Sequence, residues 1–191
     1  MKSTLATEKT ATEQWQELVK EAEAFNGVIL DEELESYLVF LLMRYMQKPE
    51  MVARVLALDY LNGSQTQGSE RSEAMRDVGD QCLLFSGLFP NRARRRNVKV
   101  SYYVTLGQSA YHHLSGLTQA ALSSMYDNLA RSFVDLMDTL LAIRNMQTDQ
   151  TLFEPIIAFE LWQDTRSKQA RQTLGAVTSA SCLDIKPARR H

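Results

Sequence analysis

Between positions 126 and 143 the large apolar residues fall at spacings of 3, 4, 3, 4 and 3: Tyr126, Leu129, Phe133, Leu136, Leu140 and Ile143. That is an a/d seam sustained for more than two heptads, the pattern of a helix packing by knobs into holes. A strand does not satisfy it, because strand side chains alternate with period two. Asp127 and Arg131, four residues apart, support the same helix from its flank.

The rest of the chain keeps the helical period. Trp15, Leu18, Val19, Ala22 and Phe25 line one face of a first helix, which Asn26 and Gly27 should end. Asp31 stands where an N-cap belongs, with Glu32 and Glu33 in the first turn, where the helix dipole favours acids. Leu34, Tyr37, Leu38, Leu41, Leu42 and Tyr45 follow on one face, and Val39, Phe40, Met43 and Met46 fill the others. A helix apolar nearly all round belongs in the centre of a fold or against a second subunit. Pro49 opens a third helix, closed by Asn62 and Gly63. Residues 63–69, rich in Gly, Ser, Gln and Thr, read as a loop or hinge. A fourth helix is predicted from about Glu70 to Leu88, stopping ahead of Pro90, with residues 82–85 buried on all sides.

Ser101 is the expected cap of a fifth helix, with Tyr103, Leu106, Ala110, Leu114 and Leu117 on one face. The seam forms the sixth. A last helix begins near Pro155 and carries Ile156, Ile157, Phe159, Leu161 and Trp162. The pattern predicts an all-α, single-domain antiparallel helical bundle of six or seven helices. It spans residues 13–172, between a flexible N-terminus (1–12) and a flexible tail (173–191).

Composition narrows the function classes. The chain has 191 residues, 45% of them hydrophobic, enough for one domain to bury a core without staples. Cys82 and Cys182 form neither a disulfide framework nor a CxxC pair, which fits a reducing compartment. The first twelve residues lack the apolar core of a secretory signal. The longest apolar run, 37–43, is seven residues closed by Arg44, against roughly 20 for a membrane span. The expected location is the cytoplasm. The net charge of −2 gives no global attraction to nucleic acid, and no helix-turn-helix or aromatic RNA platform is present.

Charge is uneven along the chain. Residues 61–120 hold 4 acids and 7 bases, whereas residues 1–60 hold 11 acids and 6 bases. The basic excess lies in a connector: Arg92, Arg94, Arg95, Arg96 and Lys99, with no acid among them. Guanidinium groups fit phosphate and carboxylate bidentately, and the next helix adds its positive end. The connector is therefore a candidate site for an anion or an acidic partner, weighed against a solvated loop whose arginines pair elsewhere.

His112 and His113 are adjacent, so on a helix they point about 100° apart and cannot chelate one metal from one face. His113 falls inside the apolar stripe and His112 outside it. Neither has a Glu three residues earlier, which excludes the paired Glu-x-x-His di-metal pattern. Tyr102, Tyr103 and Tyr111 share the fifth helix and read as amphipathic packing or as a polar-edged pocket. Asp80, one turn before the apolar end of the fourth helix, faces the basic connector or lies buried. Cys82 reads as an inert core thiol. There is no nucleophile elbow, phosphate-cradling glycine loop or zinc-protease motif, and no metal or cofactor is implied.

The elements Gly79-Asp80, Ser86-Gly87-Leu88-Phe89-Pro90, Tyr102-Tyr103, Gly107 and Ala110-Tyr111 resemble a segment of uncharacterised bacterial all-helical proteins. The resemblance covers residues 77–117, implies a bacterial source and carries over no activity.

Two functional expectations follow. The first is a protein-interaction or self-associating module, suggested by the apolar second helix, the heptad seam and eight methionines. The second is a small-molecule or anion-binding protein, whether or not an enzyme, with a pocket between the fourth and fifth helices.

Overall fold

A computed structural model describes residues 10–50, 68–95, 98–147 and 154–177. The expected third helix lies outside these residues beyond its first turn, as do Arg96 and the segment past residue 177. Among the described residues there is no strand, and nine helices carry the fold: α1 (Ala11–Asn26), α2 (Glu32–Gln47), α3 (Gly68–Leu88), α4 (Pro90–Arg95), α5 (Val100–Ser115), α6 (Ala120–Arg131), α7 (Phe133–Met146), α8 (Pro155–Thr165) and α9 (Lys168–Val177). The protein is all-helical. No described helix is long and apolar enough to cross a membrane.

The first two helices start and stop for local reasons. Thr10 caps α1 in a capping box with Glu13, and Gly27, at φ 66°, ends it in the left-handed conformation. Asp31 accepts the Leu34 amide at 2.9 Å and caps α2, as its sequence position suggests.

Helix α3 organises the core. It packs against α5 and α7, with smaller contacts to α4. Cys82, Leu83, Leu84 and Phe85 are all buried, as the unbroken apolar run requires. Glycine makes the close approach of helices feasible at three places. A methyl group at Gly79 would overlap the Tyr111 ring, one at Gly87 would overlap Leu140, and one at Gly107 would overlap Phe133 and Cys82.

Several sequence expectations are corrected. The seam is not one helix: Ser132, at φ −90° and ψ 11°, separates α6 from α7. The two halves serve different neighbours, α6 packing on α5 and α2, and α7 on α1 and α3. Helix α7 is enclosed nearly all round, so its burial extends beyond the seam to Met137, Leu141 and Ala142. Helix α2, expected to be central or set against a second subunit, is one-sided within the chain: Leu38 and Leu42 are inside, while Phe40 and Met46 face outward.

Another correction concerns α5. Lys99, whose ammonium can only donate, occupies its N-cap without a side-chain bond, and Ser101 lies inside the first turn, its hydroxyl donating to Asp164 at 2.8 Å. Leu117 lies beyond the helix and is exposed. The last predicted helix is interrupted at Arg166, φ 61°, giving α8 and α9. Asp138 of α7 completes this corner. It accepts from the Ser167 hydroxyl at 2.5 Å and the Lys168 amide at 2.7 Å, so a buried carboxyl from one helix caps the start of another. Helix α9 continues past residue 172, and Leu174 is buried.

Candidate functional site: a cleft with two arginines above a buried carboxylate

Asp80 sits in the middle of α3 with 0% exposure. A lone ionised carboxyl there would be costly, so its partners define the site. Tyr37 of α2 donates to Oδ1 at 2.5 Å, and Tyr111 of α5 donates to the same oxygen at 2.7 Å. Arg44 of α2 donates through Nη2 to Oδ2. Tyr37 and Arg44 are seven residues apart, two helical turns, and so reach one carboxylate from one face. The Gly79 approach brings the Tyr111 ring against α3, which puts its hydroxyl at Asp80.

The aromatic groups extend this arrangement. Tyr37 meets Tyr111 edge-on at 6.2 Å, and Tyr111 lies nearly parallel to Tyr126 of α6 at 6.3 Å. Burial pushes the Tyr37 and Tyr111 phenols well above their ordinary range, and Tyr126 upward as well. The nearby guanidinium of Arg44 opposes this in all three but does not reverse it. At neutral pH the phenols are therefore hydrogen-bond donors, not proton-transfer groups.

On the solvent side of the cluster is a cleft of about 210 Å³, lined by Tyr37, Phe40, Leu41, Arg44, Arg76 and Tyr126. It lies between α2, α3 and α6. Both arginines keep a buried Nε–H donor without an acceptor among the described residues. Asp80 neutralises Arg44. The acid beside Arg76 is Asp77, at 3.9 Å and half exposed, a pair worth little. The lining thus has two guanidinium groups, with one buried carboxylate behind them.

The other sequence-derived candidates are more scattered. Tyr103 is buried against Phe85 at 4.4 Å, and Tyr102 is exposed beside it at 5.4 Å. His112 is exposed, with Nδ1 3.6 Å from Asp127. His113 is half-buried, and its Nε2 lies 2.5 Å from Arg71 Nη2. Since the guanidinium can only donate, Nε2 accepts and the ring proton sits on Nδ1. Burial, then the Arg71 charge, lowers the His113 pKa.

In the basic connector, Arg92 stacks over Phe89 at 4.5 Å and Lys99 lies 3.6 Å from Asp164. Arg94 and Arg95 belong to α4, a short helix where the sequence suggested a loop. A second cleft, about 320 Å³, adjoins the end of the connector and is lined mainly by Pro90, Val98, Val100, Ile156 and Ile157. Among the described residues no cluster of His, Cys, Asp or Glu could hold a metal ion. Burial raises the Cys82 thiol far above its ordinary range, which suits a core residue.

Of the expected pocket residues, the structure brings together Asp80 and Tyr111. Sequence reasoning missed Tyr37, Arg44, Arg76 and Tyr126. Arg44 carried a signal, as the charge that closes the apolar run 37–43; Arg76 carried none. No protein-family model, curated protein or solved structure matches the chain.

Proposed function

We propose that this protein binds a small anionic ligand in the cleft between α2, α3 and α6. One observation carries the reading: Arg44 and Arg76, with side chains 33% and 40% exposed, line the same cleft. Each guanidinium has five N–H donors, so an acceptor in the cleft can meet both side chains. Charge-assisted bonds to a carboxylate or phosphate are the strong case, and the planar guanidinium suits them. Asp80 and its two tyrosines hold Arg44 in place. The cleft lies one helix away from the expected position between α3 and α5; Asp80 and Tyr111 of that expectation are buried behind it, bonded to each other and, through Asp80, to Arg44.

Thermal unfolding at constant ionic strength tests the reading, with sodium chloride replaced in turn by acetate, benzoate and phosphate. A ligand at 100 times its Kd adds about 2.7 kcal/mol of stability. We expect at least one of these anions to raise Tm, and Arg76→Ala to abolish the rise while the variant stays folded. An unchanged Tm across the whole panel contradicts the proposal.

Docking of a protein partner or a second copy is the alternative. The exposure of Ile29, Phe40 and Met46 favours it. Light scattering separates the two, since an anion receptor needs no second chain. A bacterial cytoplasmic setting, suggested by the cysteine usage and the resemblance, suits either reading.

A further inference from the structure

We infer that the cleft selects a carboxylate monoanion carrying a flat apolar body over a phosphoryl group. This rests on the anion-binding reading and specifies its ligand class.

Charge comes first. Arg44 and Arg76 bring two positive charges, and Asp80, bonded directly to Arg44, removes one. Asp77, half exposed and 3.9 Å from Arg76, screens the second only weakly, so at most one unit of positive charge remains to be balanced. A phosphate monoester carries about −1.5 to −2 near neutral pH and would leave negative charge uncompensated. A carboxylate carries one.

The planar guanidinium groups of Arg44 and Arg76, which line the cleft, match the two oxygens of a carboxylate. The Tyr37 hydroxyl is already committed to Asp80. It therefore contributes its ring to the wall and not its donor.

The remaining wall describes the rest of the ligand. Tyr37, Tyr126, Phe40 and Leu41 supply aromatic and aliphatic surface. Phe40 is 62% exposed, so an apolar body laid against it removes surface from water that the protein alone leaves wet. A volume of about 210 Å³ equals about seven waters at about 30 Å³ each. That is room for a carboxylate on a single ring.

Isothermal titration at fixed ionic strength with benzoate, acetate, phenyl phosphate and inorganic phosphate tests this, with neutral benzamide as the charge control. Benzoate is expected to bind at least tenfold more tightly than each of the other four. Phe40→Ala should weaken benzoate several-fold and leave acetate unchanged. Arg76→Gln should weaken benzoate at least tenfold, with the circular-dichroism spectrum unchanged. Equal or tighter binding of either phosphate overturns the selectivity and leaves the anion site standing. Benzamide binding as tightly as benzoate overturns both, as does the absence of binding by any of the four anions.

Discussion

A carboxylate in a helical core is tolerated only when its partners replace water. Asp80 has one guanidinium and two phenols, drawn from α2 and α5. Removing it leaves Arg44 part-buried beside two unsatisfied hydroxyls. Asp80→Ala should therefore cost about 3–5 kcal/mol, read as a lower urea midpoint with an unchanged slope.

Asp138 presents the opposite balance. Burial holds its carboxyl at about 6, against an ordinary value of 3.8, although the Ser167 hydroxyl and the Lys168 and Gln169 amides pull it down. Between those two values the folded chain holds a proton that the unfolded chain has released. Stability from this group is thus fully present below about 3.8 and declines as pH rises through about 6. The full effect is on the order of 3 kcal/mol at 1.36 kcal/mol per unit. Burial also raises Glu23, which adds to the slope in the same direction. The difference between wild type and Asp138→Asn is therefore the informative quantity. In urea unfolding from pH 4 to 6.5, the variant should show a clearly shallower decline. Equal slopes would remove Asp138 from this role.

At the scale of helices, α3 and α5 depend on the absence of side chains at Gly79 and Gly107. Alanine is the better helix former by about 1 kcal/mol, so Gly79→Ala would stabilise an isolated helix. Here the added methyl must displace the Tyr111 ring, and Tyr111 is held on both faces by packing and by its bond to Asp80. Overpacking of this kind costs about 1–3 kcal/mol, so the net effect should be destabilising by chemical denaturation. A neutral or more stable variant would show that α5 moves aside freely.

Legibility in the sequence followed the range of the interaction. The burial of residues 82–85 and the Asp31 cap were readable because their causes lie within a turn or two of chain. The Ser132 interruption was not, because serine is tolerated within helices and nothing local marks it as a break. Nor was the Asp138 cap, whose partners lie 29 and 30 residues away. The candidate site divides in the same manner. Asp80 stood out as an acid beside an apolar run, whereas Tyr37 and Arg44 reach it across 43 and 36 residues of chain. Their seven-residue spacing looked like one more helical face until α2 was laid against α3.

Across the whole molecule, most polar side chains in the core are explained by their bonds: Asp80 by its three partners and Asp138 by the start of α9. A few buried polar atoms among the described residues lack a partner, and of these the Nε–H groups of Arg44 and Arg76 belong to side chains that line one cleft. The core accounts for the fold, and these two side chains account for the proposed activity. Proton–nitrogen NMR of the arginine Nε–H groups, assigned by Arg44→Lys and Arg76→Lys, reads those donors directly. On titration with benzoate against a chloride control, saturable shifts of both resonances are expected, with the Arg71 and Arg131 signals unmoved. If the Arg44 and Arg76 signals stay in place, or all arginine signals drift together without saturation, the cleft is not an anion receptor.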